Sequence, residues 1–216
     1  MMEEEKIFAG KIFNASSSEL QKIKHEAHIA CQKYNAMNEY DTFRPNILRE
    51  ILGSIGPHFR FQGPVQFNYG KHTFIGDCFV ANFNFIVMDD ARIYIGNNVA
   101  CGPNVSLLAT NHPLLAQERL GLDDNGVATA FAEYADEIHI GNNVWLAAGV
   151  TVLGGVHIGE NSVIGAGSIV THDIQANVLA VGVPCRPLRK LTEKDSCHQL
   201  FLKEDAEHFK YNIKKR

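Results

Sequence analysis

From residue 140 an aliphatic side chain returns at every sixth position: Ile140, Leu146, Val152, Ile158, Ile164 and Val170. Four residues after each stands a second small or branched residue: Val144, Val150, Val156, Ser162, Ser168 and Ile174. One position before that second set runs a third column, Asn143, Gly149, Gly155, Asn161, Gly167 and Asp173, made of residue types that tolerate a positive φ. An amphipathic helix has a period of about 3.6 and no use for such a column. A β-sandwich would place its turns about every 8–12 residues. A period of six instead suits short strands joined by tight bends and wound into a solenoid with three faces and eighteen residues per coil. The hand of that coil does not follow from its period.

The same pattern occurs earlier with interruptions. Ile75, Ala81 and Val87 form one set, and Ile95, Cys101 and Leu107 another, giving twelve hexads in all. The step from Val87 to Ile95 is eight, so two residues are inserted there. The step from Leu107 to Ile140 is thirty-three, so residues 108–139 hold an excursion from the coil. On either side the period changes. Leu20, Ile23, Ala27 and Ala30, then Ile47, Leu48, Ile51 and Leu52, stand at helical spacing. Ser16, Ser17 or Ser18 is placed to cap the first of these helices, and Gly53, Gly56 and Pro57 end the region. After Pro187 the chain turns charged, and Leu200, Phe201, Leu202 and Phe209 predict a short helix there. The resulting division is a helical unit at 1–57, a solenoid at 58–188 with a loop inserted at 108–139, and a tail at 189–216.

Composition narrows the function. A net charge of −4 without a long basic run speaks against a nucleic-acid partner. No run reaches the roughly 18 apolar residues of a membrane span, and Met1-Met2-Glu3-Glu4-Glu5 is acidic where a secretory signal would be basic and then apolar. Five widely spaced cysteines without a CxxC fit reduced thiols, so a cytoplasmic protein is expected.

Several blocks, in order along nearly the whole chain, carry a resemblance. They are Phe8-Ala9-Gly10-Lys11, Tyr34-Asn35, Asn68-Tyr69-Gly70, Ala81-Asn82-Phe83-Asn84 with Asp89-Asp90, Asn111-His112-Pro113, Ile140-Gly141-Asn142-Asn143-Val144-Trp145, Val163-Ile164-Gly165-Ala166-Gly167-Ser168-Ile169-Val170-Thr171 and Gly182-Val183-Pro184-Cys185-Arg186. Together they resemble the maltose and galactoside O-acetyltransferases, a branch of the hexapeptide-repeat acyltransferases. The resemblance implies a left-handed parallel β-helix, a homotrimer with its sites between neighbouring subunits, and acetyl transfer from acetyl-CoA to a sugar hydroxyl without a metal.

The resemblance also assigns roles. Acyl transfer to an alcohol needs a group that takes the hydroxyl proton and fixed donors for the oxyanion. His112 matches the family's general base; read alone, it is more readily a loop histidine bonded to backbone, and the family match reverses that preference. Asn82 and Asp90 match residues that hold the acceptor, and Asn68 stands where relatives carry serine or aspartate. For CoA the match points to Ala148, Ala166, Thr171, His172, Arg186 and Arg189, the arginines facing phosphates. His172 departs from the family's usual lysine. Trp145 either lines the cofactor channel or a subunit contact, or is simply a partly buried packing residue. Two further departures bear on the acceptor. An aspartate and an arginine that reach the sugar in relatives align here with Ser17 and Lys24, and Val80 stands where some relatives have tyrosine. The acceptor preference should therefore differ from that of maltose or galactoside enzymes.

Rival readings share the solenoid. His139 and His157 are eighteen apart and should stack one coil apart, which invites comparison with the γ-type carbonic anhydrases, zinc enzymes with three histidines. His172 is out of that column. A non-catalytic binding scaffold is another class, predicting no affinity for CoA. Antibiotic- and serine-directed acetyltransferases compete on the acceptor side, but the first lack a front unit like residues 8–57 and the second have a longer, different one.

Overall fold

Three parallel sheets share the backbone of each coil, and a computed structural model describes them together with the flanking segments over residues 1–201. The first sheet contains Ser54–Ile55, Thr73–Ile75, Ile93–Ile95, Ile138–Ile140 and His157–Ile158. The second begins with Phe59–Phe61, Phe79–Ala81, Ala100–Cys101, Trp145–Leu146 and Val163–Ile164. The third holds Val65–Phe67, Phe85–Met88, Ser106–Leu108, Thr151–Leu153 and Ile169–Val170. All twelve hexad residues of the two aliphatic sets and the six-residue run are buried, as are Val144, Val150, Val156, Ser162, Ser168 and Ile174.

The register explains the spacing. His139 pairs with His157, eighteen residues on, whereas Thr73 pairs with Ile93, twenty on. The early coils therefore carry the two extra residues that the step from Val87 to Ile95 implies. Ile55, Phe61 and Phe67 form a further coil before these, so the solenoid starts at Ser54. Phenylalanines replace aliphatic residues there because this end must fill the space under the helices: Phe61 lies 5.2 Å from Phe79 and 5.9 Å from Phe85, centroid to centroid.

Corners are set by left-handed residues. Asn143, Gly149, Gly155, Asn161 and Gly167 all have positive φ. Asp173 does not, and its carboxylate instead accepts a hydrogen bond from the His157 backbone N–H at 2.8 Å.

Helices Glu3–Phe8, Ser18–Ala36 and Arg44–Ile51 close the first end. Ser17 caps the second by accepting from the Leu20 N–H at 3.3 Å. Leu20, Ala27, Cys31 and Tyr34 turn inward from it. Tyr34 Oη donates to the Phe61 carbonyl at 2.7 Å, and Asn35 bonds both the N–H and the carbonyl of Val65. That pair of residues, one of the family blocks, ties the helix to the first coil. At the other end Cys185–Lys190 folds back antiparallel onto Val178–Gly182. Leu200 belongs to a short 3-10 turn, His198–Leu200, and the expected helix around Leu202 and Phe209 lies outside the described residues. Among the described residues no helix is long and apolar enough to cross a membrane.

Glu4 anchors the first helix to the coil through Lys71 Nζ at 2.7 Å and His72 Nε2 at 2.8 Å. Burial by itself would raise the Glu4 carboxyl, but hydrogen bonds from Lys71 and His72 outweigh it and hold it below its ordinary 4.5. A carboxyl depressed by folding stabilises above its unfolded value, and that contribution is lost as pH falls through the lowered one. Urea midpoints of Glu4→Gln should lie below those of the parent at neutral pH and converge with them below pH 4.5. Parallel curves across that range would remove Glu4 as an anchor.

Candidate active site

The inserted residues gather at one corner, where each coil passes from the third sheet to the next coil's first. Between Phe67 and Ile75 lies Asn68-Tyr69, between Val87 and Ile95 lies Asp89-Asp90, and between Leu107 and Ile140 lies the whole excursion. Because the strands before them are in register, Met88 opposite Leu108, these residues stack. Asn68 Nδ2 donates to both Asp90 oxygens at 3.2 and 3.1 Å, and Thr110 Oγ1 donates to Asp90 Oδ2. Asp89 points into the coil instead and accepts from the Tyr69 N–H at 2.7 Å and Thr73 Oγ1 at 2.9 Å. Burial pushes its carboxyl up despite those donors.

His112 follows Thr110 by two residues. The excursion leaves the coil as Thr110–Asn111, paired antiparallel with Tyr134–Ala135, and contains a hairpin of Leu120–Leu122 and Ala128–Phe131. The returning strand puts the Ala132 carbonyl 2.9 Å from His112 Nδ1. A carbonyl only accepts, so Nδ1 carries the proton and Nε2 of the neutral ring presents a lone pair. The ring is exposed. Beside Ala132, Glu133 is held to the helical unit by its carbonyl, which accepts from the Phe13 N–H at 3.0 Å. Burial, then the charge of Asp90, push the Glu133 carboxyl up, while Lys24 and His112 pull it down.

Tyr69 completes the corner. Its ring lies under Lys24 Nζ, 5.1 Å from the centroid, and its hydroxyl is buried without a hydrogen-bond partner among the described residues. Burial and the Asp90 carboxylate push its phenol far up. Lys24 thus reaches this corner from the long helix, whereas the Ser17 side chain is engaged as a helix cap.

Asn82 is elsewhere. It occupies the corner before the strand Phe85–Met88, which separates it from Asp90 by roughly 13 Å of extended chain at ~3.3 Å per residue. Its Oδ1 accepts from the Phe83 N–H at 2.8 Å. Ala148 and Ala166 stack on this same corner, both exposed, with the Gly167 N–H bonded to the Ala148 carbonyl at 2.8 Å. Thr171 and His172, bonded to each other at 2.8 Å, follow Ile169–Val170 and so return to the His112 side. Arg186 and Arg189 project from the last strand, both exposed; Arg189 Nη1 donates to Asp195 Oδ2 at 2.8 Å. Within one chain, then, Asn68, Asp90, His112 and Lys24 share one corner, and Asn82, Ala148 and Ala166 the next. Thr110 and Glu133 belong to the first of these corners and carry no short motif of their own. Only the insertion points in the hexad period mark their places.

His139 and His157 do stack, 4.4 Å apart and within 4° of parallel, continuing a row from Phe74 and Tyr94. They lie on the first sheet, and His172 is on a different corner.

Residues 6–56 match the maltose acetyltransferase hexapeptide capping motif, and residues 137–172 match the bacterial transferase hexapeptide (six repeats). The galactoside O-acetyltransferase of Escherichia coli is 39% identical over 192 residues, 88% of this chain and 90% of that protein. The crystal structure of a maltose O-acetyltransferase from Clostridium difficile is similar with a TM-score of 0.82 at 37% identity, over 89% of this chain and 99% of that one. A galactoside acetyltransferase solved in complex with coenzyme A also gives 0.82, at 39% identity, over 90% of this chain and 94% of that one.

The imidazole nitrogens provide a direct check on the site. In ¹⁵N spectra at a pH where His112 is neutral, Nδ1 should be the protonated nitrogen and Nε2 the bare one. The reverse assignment would mean that the Ala132 carbonyl does not orient the ring.

Proposed function

The chain belongs to the maltose and galactoside O-acetyltransferase family of hexapeptide-repeat transferases, and from that premise we propose that it moves acetyl from acetyl-CoA to a sugar hydroxyl with His112 as general base. It is an acetyl-CoA-dependent acetyltransferase by family; the acceptor and the residue roles are our reading. The observation that carries the reading is the bond from His112 Nδ1 to the Ala132 carbonyl, which turns the basic Nε2 outward. Asp90 and Asn68 are both buried and spend their polar atoms on each other and on Thr110, so within one chain they brace the corner that carries His112 from beneath rather than reach the acceptor themselves. As the hydroxyl oxygen attacks the thioester carbonyl, Nε2 takes its proton, and the imidazolium can return a proton to the departing thiolate. No acyl-enzyme is required, and Cys101, buried with its thiol pushed up, is a poor nucleophile.

Asn82, Ala148 and Ala166 stand one corner away from His112, so we read the working site as composite. One subunit contributes the His112 corner and its neighbour the Asn82 corner, in a homotrimer. Exposed apolar side chains on the excursion, Leu114, Leu122, Val127 and Phe131, and Val80 and Trp145 on the second sheet support such a junction. Small side chains at Ala148 and Ala166 leave room for the pantetheine arm. Arg186 and Arg189 would meet the phosphates, Arg189 exchanging its bond to Asp195 for them. Five free cysteines suit the cytoplasm.

His112→Ala should lower turnover by about 10²–10⁴ while still binding CoA, as read by single-turnover kinetics and calorimetry. Near-native turnover would reject the general-base role.

Mixing unfolded His112→Ala and Asn82→Ala chains in equal amounts and refolding them should restore activity that neither shows alone. Random threefold assembly reconstitutes about a quarter of the sites. No gain on mixing would place both residues in one subunit's site.

Aspartate also caps helices well, so Ser17→Asp leaves the fold intact, and a guanidinium at position 24 can bond bidentately where lysine cannot. The double variant Ser17→Asp with Lys24→Arg should raise kcat/KM for simple glucosides or galactosides. Unchanged values would show that these positions do not set the acceptor.

A further inference from the structure

We propose that His58, Asp77 and Cys78 form a site for a zinc-type divalent cation that clips the first coil of the solenoid to the second. The site lies at the corner between the first and second sheets. Because Phe59 pairs with Phe79, His58 sits directly over Cys78, one coil apart, with Asp77 beside it. One ligand atom from each of the three residues lies within 4.8 Å of the others. His58 Nδ1 is 3.0 Å from both Asp77 oxygens. Tetrahedral coordination needs donors roughly 3.5 Å apart, so small rotations close the set around a metal.

The column to which Cys78 belongs makes the assignment specific. In the later coils this corner is held by Asn98, Asn143, Asn161 and Asn177, all with φ near +60°. Their amides form a ladder, each donating to the next at 2.8, 2.8 and 3.0 Å. Cys78 has the same left-handed backbone, φ 55°, in a residue that lacks the amide and is disfavoured there. The second coil therefore forgoes the ladder and presents an exposed thiol opposite an imidazole. Asp77 is prepared similarly. Its N–H is held by Asn97 Oδ1 at 2.7 Å, and its Oδ1 accepts the His58 N–H at 2.8 Å, so the carboxylate is already aimed.

Imidazole, carboxylate and thiolate together favour zinc over magnesium or calcium, which prefer oxygen alone. On binding, the Cys78 thiol gives its proton to solvent and the thiolate becomes a ligand, with a water in the fourth position. This corner is separate from the two that flank the third sheet and carry the catalytic residues, so occupancy should leave acetyl transfer unchanged.

The test uses metal-free full-length protein carrying Cys197→Ser, which removes the other exposed thiol. Titration with Co²⁺ should reach one ion per chain, with a thiolate-to-cobalt charge-transfer band in the near ultraviolet that added Zn²⁺ displaces. His58→Ala should lose the band. Cys78→Asn, which places there the residue found in the later coils, should fold, keep its acetyl-transfer rate and lose both the band and any rise in melting temperature with Zn²⁺. Absence of the band from the Cys197→Ser protein, or its persistence in Cys78→Asn, would overturn the proposal.

Discussion

Hydrogen bonds between coils, such as Trp145 N–H to the Ser162 carbonyl at 3.0 Å and Thr151 N–H to the Ser168 carbonyl at 2.9 Å, form only if the chain returns after each circuit at the same height and phase. Three bends must therefore turn the backbone by fixed amounts within eighteen residues. Left-handed asparagines and glycines supply those bends. Once the phase is kept, the aliphatic columns stack, and each corner becomes a line of equivalent positions. The site, the helix dock and the amide ladder are all consequences of that alignment.

Where the phase is deliberately broken, chemistry is gathered. The corner after the third sheet carries two extra residues in the first coils and a long excursion in the third. Asn68, Asp89 and Asp90 there are buried but no longer need to close a tight bend, so their polar atoms are free to bond one another and their neighbours. Asp89 and Asp90 show the division of labour. One turns inward to hold Tyr69 and Thr73, and the other turns toward Asn68 and Thr110.

The solenoid was legible because its period repeats the same demand many times, and one demand imposed twelve times is hard to mistake. The first coil was less so, since Phe61 and Phe67 answer to the helices above them as well as to the stack. The placing of His112 in an excursion followed from the broken period, but its role came from the family blocks. Thr110 and Glu133 carry no sequence signal, and Tyr69, though inside a family block, none for its role, because their partners lie about twenty or more residues away, in contacts that only the coil register creates. Ser17 shows the converse: a position assigned to the acceptor by alignment also starts a helix, and local hydrogen bonding claims its side chain.

The last strand has a consequence for the company this molecule keeps. A parallel stack has two open ends, and each offers the same hydrogen-bonding pattern that joins one coil to the next. Left bare, such ends would let one molecule continue where another stops, and a solution of solenoids would grow into fibres. The hairpin that brings Cys185–Lys190 back antiparallel over Val178–Gly182 breaks the repeat on the second sheet, and the three helices cover the opposite end. The stack is thereby kept discrete, and the sides of the column are the surfaces left for other molecules to meet.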